Sequence, residues 1–276
     1  MADSLRLMCI LAHPDDESLG MGGTLARYAK EGIETYLLTA TRGERGRFGD
    51  VAVRPSLRVV GEVREAELRA AGTELGIREI HFLDYIDGDL DRASPMEAQG
   101  KIVPFIRRVK PHVVVTFGPD GAYGHPDHIA ISQLASAAVL LAADTGYAAV
   151  SGEPPHRVSK FYYIAWSKPK WDAYQAAFKK LVVTVDGVER QVSPWPEWAV
   201  TTVVDTADVW DTVWRAVSCH QTQMAIYGKL EHLSSEHHRA LWGAQEYYRV
   251  FSTVNGGRTI ETDLFDGLRG DTYERR

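Results

Sequence analysis

Cysteine is scarce in this sequence: only Cys9 and Cys219 occur, which excludes a disulfide framework and a thiolate metal cluster. Long hydrophobic runs are lacking too. The most apolar stretch, Ser132 to Ala143, is shorter than a membrane span and is bracketed by polar residues. The opening Met1-Ala2-Asp3-Ser4 has no basic head of a signal peptide, and Arg6 interrupts the apolar run that follows. Nor is there a surplus of positive charge. A formal net charge of -6 argues against nonspecific nucleic-acid binding as the main activity. The expectation is a cytoplasmic, soluble protein that acts on a small molecule and engages neither nucleic acid nor membrane.

What is present reads as an ordinary globule, with 45% hydrophobic and 25% charged residues rather than the balance of a disordered tail. The first half alternates strand and helix patterns. Strands are expected at Leu5–Leu11, Glu34–Thr41, Glu79–Leu83 and Val113–Phe117. Helices are expected at Leu19–Lys30, Glu62–Leu75, Met96–Val109 and Ile129–Ala143. Four such repeats imply an α/β fold with a mostly parallel sheet covered on both faces. Beyond Thr145 the rhythm changes to an extension of strands and helices. Strand candidates there are Phe161–Trp166, Leu181–Val185, Thr201–Val204 and Tyr247–Ser252, with a short helical piece at Pro169–Phe178 and a long helix at Asp208–Leu230. With no repeat or flexible linker, residues 1–276 read as one domain, a core to about residue 145 and a C-terminal embellishment over 146–276.

Chemistry concentrates in two clusters, His13-Pro14-Asp15-Asp16 and His125-Pro126-Asp127-His128, each directly after a hydrophobic strand. In a doubly wound sheet the first and fourth strands meet at the switch point, so these distant clusters converge at the carboxyl ends of the strands. Imidazole and carboxylate donors with room for water match a catalytic metal site, with His13, one of the two aspartates and His128 as candidate ligands. The plainer account is that both clusters cap helix starts. Capping accounts for one cluster better than for two in matching places.

The stretches Ala12-His13-Pro14-Asp15-Asp16-Glu17 and Gly124-His125-Pro126-Asp127-His128 resemble those of the PIG-L/LmbE family of zinc-dependent N-acetylglucosamine-type deacetylases, over residues 5 to about 145. The resemblance implies a Rossmann-like fold and a metal-dependent hydrolase that deacetylates an N-acetylated small molecule, a sugar conjugate in particular. It implies Zn2+, with Fe2+ or Co2+ able to fill the same donors, held by His13, Asp16 and His128. Asp15 becomes the general base on the metal-activated water. His125 stabilises the oxyanion or protonates the leaving amine, Asp127 orients His125 through its other ring nitrogen, and Tyr123 contacts the same oxyanion. Homo-oligomers are common in the family, and the tryptophan-rich second half is the candidate interface.

Arg64, Glu44 and His220 lead the further candidate substrate contacts. Arg64 resembles a family arginine that reaches a substrate's polar head, with an ordinary surface arginine as the alternative. Glu44 lies in a charged loop, Arg42 to Gly61, that borders the expected pocket and could bind hydroxyls. Asp87 and Asp89 have the same status in the next loop. His220 resembles a late family histidine, though it shares a helical row with Ala216, Val217 and Met224 and fits a buried, satisfied histidine equally well. Cys219 reads as a buried thiol, and His237-His238 as a solvated helix start.

The rival activity with the same metal centre is an amidase acting on a thiol conjugate or another N-acyl compound. A dinucleotide-binding oxidoreductase is disfavoured, because Gly20-Met21-Gly22-Gly23 is not the phosphate-cradling fingerprint.

Overall fold

The computed structural model describes residues 4–147, 152–178, 182–185, 187–191, 193–257 and 259–269. Its strands follow in chain order as β1 (Arg6–Leu11), β2 (Glu34–Thr41), β3 (Glu79–Tyr85), β4 (Val113–Phe117), β5 (Lys160–Ile164), β6 (Val183–Val185), β7 (Val188–Arg190), β8 (Thr202–Asp205) and β9 (Ala244–Ser252). The helices are α1 (Asp16–Lys30), α2 (Leu57–Leu75), α3 (Pro95–Val109), α4 (Gly121–Gly124, one turn), α5 (Pro126–Ala143), α6 (Lys168–Phe178), α7 (Trp210–Cys219), α8 (Met224–Tyr227, one turn) and α9 (Ser235–Trp242).

Leu7 to Leu11 and Val113 to Val115 are fully buried, as strands covered on both faces must be. They lie side by side at the middle of one sheet, ordered β3-β2-β1-β4-β5-β9-β8. The first five strands in that order pair parallel and the last two antiparallel. Helices cover both faces, α1, α2 and α7 packing together and α3 against α5. The chain winds from β1 outward to β3, then returns to β4 on the other side of β1. The β1–β4 boundary is therefore the switch point, and the carboxyl ends of these strands open onto a crevice. The α/β expectation, with a mostly parallel sheet and a C-terminal extension, holds.

Several boundaries differ, each for a local reason. Helix α1 begins at Asp16 rather than Leu19, with Asp16 and Glu17 in its first turn, where carboxylates suit the helix dipole. Helix α2 begins at Leu57, capped by the Ser56 side chain on the Val59 N–H. The long helix expected at Asp208–Leu230 breaks after Cys219. Glu67 takes the N–H and hydroxyl of Thr222 at 2.7 Å each, which holds that backbone in a 3-10 turn. Of the expected strand Leu181–Val185, Leu181 lies outside the described residues, Val182 is not in a strand, and β6 covers Val183–Val185. His237 is exposed as expected, but His238 is buried among Trp210, Trp214 and Trp242, its Nε2–H donating to the Leu230 carbonyl at 2.7 Å. Helix α5 is long and apolar enough to cross a membrane, and half of it is buried within the fold.

Close approach fixes how α1 sits. A Cβ on Gly22 would meet Val213 of α7 at 3.0 Å, and one on Gly23 would meet Thr206 at 2.7 Å. The second half is stitched to the sheet through one buried carboxylate. Glu261 accepts from Lys160 Nζ at 2.6 Å, Tyr162 and Asn255 at 2.7 Å, and Thr202 and Arg249 at 2.8 Å. Burial raises the Glu261 carboxyl, but these donors overcome it and hold it at about 2.

A carboxyl depressed in the folded state stabilises the fold above its ordinary pKa and loses that contribution as pH falls toward the folded value. Urea unfolding should therefore show Glu261→Gln destabilised by about 3–5 kcal/mol at neutral pH, because Lys160 is left buried and uncompensated. The difference from the parent should shrink between about pH 4.5 and pH 2. A difference independent of pH would contradict the role given to this carboxylate.

Candidate metal centre

Adjacent Asp15 and Asp16 face different partners because the backbone between them turns. Asp15 has φ 102°, a conformation that non-glycine residues rarely adopt and that the surroundings must hold. Its N–H donates to Glu17 Oε2 at 2.9 Å. Arg64 donates to the Pro14 carbonyl at 2.6 Å and to Asp15 Oδ2 at 3.0 Å, and the Tyr227 hydroxyl donates to the same oxygen at 2.8 Å. The Asp15 side chain does not cap α1, so capping fails to account for this cluster. Burial pushes the Asp15 carboxyl up, Arg64 opposes the rise, and Asp16 adds to it.

Asp16 turns toward the crevice. Its Oδ2 accepts the N–H groups of Ala12 and His13 at 3.2 and 2.8 Å, and its Oδ1 lies 3.3 Å from His128 Nε2. His13 Nδ1 is 3.2 Å from His128 Nε2 and 3.7 Å from Asp16 Oδ2. Donors bound tetrahedrally to one cation at about 2.0–2.2 Å stand about 3.3–3.6 Å apart. The His13–His128 and Asp16 Oδ1–His128 distances are close to that, Asp16 reaching the two rings with different oxygens, and His13, His125 and His128 also bring donor atoms within 4.8 Å of one another. The His128 ring is held by stacking on Phe117, the last residue of β4, at 3.9 Å. Burial disfavours charge on Asp16, but His128 and His13 hold its carboxyl well below the usual range.

The other nitrogen of His13 has its own partners. Nε2 lies 3.1 Å from Asp127 Oδ2 and 3.2 Å from Asp87 Oδ1. Burial opposes a charged ring, yet these carboxylates raise the His13 pKa and keep a proton at Nε2. With Nε2–H held by two carboxylates, the Nδ1 proton of the charged ring is the one a cation would displace, the arrangement that orients a metal-binding histidine. The residues fit a divalent cation.

In the loop between β4 and α5 the expected partnership of Asp127 and His125 is corrected. The Asp127 N–H, not its carboxylate, meets His125 Nδ1 at 3.2 Å. His125 is the N-cap of α5, and its ring accepts the N–H two residues on, as capping side chains do. The Asp127 carboxylate instead accepts from Gly88 N–H at 2.7 Å, Leu90 N–H at 3.2 Å and His13. Burial and the neighbouring His13 and His128 lower the His125 pKa to about 3, so its ring is neutral, with the remaining proton on Nε2. Tyr123 lies edge-on to His128 at 5.3 Å, its hydroxyl kept protonated by burial and by Asp16 and Asp15.

The three expected substrate contacts fare differently. Arg64 does line the cavity, but it is buried and committed to Pro14, Asp15 and the Gly43 carbonyl. A Cβ on Gly43 or Gly46 would collide with its guanidinium, so those glycines make its channel. Glu44 is absent from the lining and accepts the Asp87 N–H at 3.1 Å; it ties two loops together. His220 is also absent from the lining. It is buried behind the site, with Nε2 2.9 Å from Glu17 Oε1, because the helix break after Cys219 turns it inward. The half-buried Cys219 bonds the Arg215 carbonyl at 3.4 Å. Asp87, expected only as a contact of the same standing as Glu44, lines the cavity and holds His13 Nε2, and Tyr227, which follows the break at His220, gave no signal in the sequence.

A cavity of about 440 Å3 opens over the centre. His13, Asp15, Asp16, Arg64, Asp87 and His128 make its polar floor, while Leu19, Trp166, Tyr174, Phe178 and Ile226 make an apolar wall.

The chain is similar to known proteins. The family model described as PIG-L, GlcNAc-PI de-N-acetylase, matches residues 8–139. A 1D-myo-inositol 2-acetamido-2-deoxy-alpha-D-glucopyranoside deacetylase of Kineococcus radiotolerans is 33% identical over 306 residues, covering 95% of this chain and 83% of that protein. A protein of the same name from Streptomyces griseus is 34% identical over 296 residues, covering 95% and 89%. The crystal structure of a conserved protein from Thermus thermophilus superposes with TM-score 0.65 at 28% identity, covering 91% of this chain and 97% of that one.

His220→Leu should lower stability by about 3–5 kcal/mol in urea unfolding, since Glu17 is left buried without its partner. KM of the folded variant should stay within about twofold of the parent, because truncating a residue that never meets substrate removes no binding energy. A raised KM at unchanged stability would restore the substrate-contact reading.

Proposed function

The chain belongs to the PIG-L/LmbE deacetylase family and is a metal-dependent hydrolase of N-acetyl amide bonds; from that premise we propose that its substrate is an N-acetylglucosaminyl-type sugar conjugate and its metal Zn2+, held by His13, Asp16 and His128. The named activity of the Kineococcus and Streptomyces relatives supports the sugar, and a donor set of two imidazoles and one carboxylate supports zinc, with Fe2+ or Co2+ suited to the same set. The observation that carries the reading is the convergence of His13 Nδ1, Asp16 and His128 Nε2 with the separately held Asp15 carboxylate on one cavity floor. The whole chain then works as one unit, the part to about residue 145 supplying the donors and the remainder completing the cavity.

A cation bound there polarises the acyl carbonyl and supplies a nucleophile from water at neutral pH. Asp15 takes the proton of the attacking water. Arg64 and Tyr227 both occupy its Oδ2, so Oδ1 is the working oxygen. The raised pKa of Asp15 suits a group that accepts this proton and then hands it to the leaving amine. Between the two roles expected for His125, its neutral ring and capped Nδ1 favour donation from Nε2–H to the oxyanion over protonation of the amine. Tyr123 offers a second donor from the same loop. Asp87 and Asp127 keep the His13 ring in the tautomer that leaves Nδ1 free.

Asp15→Asn should keep its bound metal, measured by elemental analysis, while kcat for release of acetate falls by about 10²–10⁴-fold. Chelation of the parent should abolish release and added Zn2+ should restore it. Turnover that persists in Asp15→Asn, or that a chelator does not touch, would overturn the mechanism. Parallel assays with N-acyl amino-acid and thiol conjugates test the sugar: faster turnover of those would favour the amidase.

A further inference from the structure

The cavity has two unlike sides. Its floor is charged and hydrogen-bonded; the wall is built from Leu19 of α1, Trp166 between β5 and α6, helix α6 and α8. On that wall the rings form a ladder. Trp166 stacks on Tyr174 with centroids 4.4 Å apart at 14°, and Tyr174 lies 5.9 Å from Phe178 at 20°. Phe178 then meets Tyr227 edge-on at 6.0 Å, and the Tyr227 hydroxyl is the one bound to Asp15. The ladder thus connects the Asp15 carboxylate, through Tyr227, to Trp166 across one side of the cavity.

The wall has few polar groups left to offer. The Tyr174 hydroxyl already donates to the Leu19 carbonyl at 2.5 Å. Apart from the Trp166 indole N–H, these wall residues offer ring carbon together with Leu19 and Ile226, while Arg47 and Gln223 bring polar groups to another part of the lining. The wall is also anchored. Lys170 of α6 sends its buried Nζ to the carbonyls of Ala240, Leu241 and Ala244 at 3.1, 2.8 and 2.7 Å, so α6 is fixed against α9 and the start of β9. A polyol pressed on such a surface would give up water without regaining hydrogen bonds, whereas an apolar group gains from its own burial.

We propose that the substrate carries an apolar group of at least phenyl size beside the N-acylated sugar, received by the Trp166–Tyr174–Phe178 ladder. This rests on the reading of the centre as an N-deacetylase. The apolar group belongs either to the aglycone or to the acyl chain, and the chemistry of recognition is the same for both.

The test uses the zinc-loaded full chain and three probes: N-acetylglucosaminyl inositol as the polar reference, phenyl N-acetylglucosaminide, and N-hexanoylglucosaminyl inositol. At least one apolar probe should exceed the reference in kcat/KM by about tenfold or more, mainly through KM, a discrimination within reach of a hydrophobic pocket. A faster phenyl glycoside assigns the wall to the aglycone, and a faster hexanoyl compound assigns it to the acyl chain. Phe178→Gln, at a half-buried position, should bring the ratio of the preferred probe to the reference toward one, and Ile226→Asn should move it the same way. A reference that matches or beats both apolar probes overturns the proposal, as does a preference that neither variant reduces. Failure to hydrolyse any probe overturns the deacetylase reading itself and the proposal with it.

Discussion

Two neighbouring carboxylates can do different work only if the chain turns them apart, and at Asp15 it does so by entering a left-handed conformation, φ 102°. Left alone, that conformation is unfavourable for any residue with a side chain. Here the Glu17 carboxylate holds the amide, Arg64 holds the preceding carbonyl and the Asp15 carboxylate together, and Tyr227 closes the far side. Asp16 is thereby released toward the imidazoles and Asp15 toward the cavity. Much of the surrounding structure follows from keeping this turn: the glycines at 43 and 46 that admit Arg64, and the break after Cys219 that brings Tyr227 and His220 to the same corner.

The switch point supplies the rest of the centre. Because β4 returns beside β1, the loops after both strands share one crevice, and His128 meets His13 across more than a hundred residues of chain. The contacts of His13 Nε2 with the Asp127 and Asp87 carboxylates turn Nδ1 toward His128 and Asp16. The second half of the chain extends the same sheet through β5, β9 and β8 and contributes the apolar wall, so the cavity is a product of both halves.

Much of this was legible in the sequence. Strands buried on both faces announce themselves as continuous apolar runs, and the two histidine-aspartate clusters stand where those runs end. The fold class and the meeting of His13, one of the two aspartates and His128 follow from these patterns and one topological rule; the choice of Asp16 came only with the family resemblance. What escaped depends on tertiary partners. Nothing local says that Glu67 will claim Thr222 and end a helix whose apolar stripe continues past it, and with that break His220 moves from the expected pocket to a buried pair with Glu17. Glu44 and Arg64 look alike in sequence, as charged residues near a glycine-rich loop. Only the packing shows that one ties two loops and the other clamps Asp15. The exchange of roles at Asp127 is a matter of whether its amide or its carboxylate faces His125, which residue spacing leaves open.

The central claim is that the cation sits on the Nδ1 side of His13. A crystal structure of the zinc-loaded protein with anomalous scattering measured at the zinc edge tests it directly. The account predicts one strong peak bonded to His13 Nδ1, Asp16 and His128 Nε2, with His13 Nε2 still facing Asp127 and Asp87. A peak between His13 Nε2 and the Asp87 and Asp127 carboxylates, which also lie close enough together to hold an ion, would contradict it.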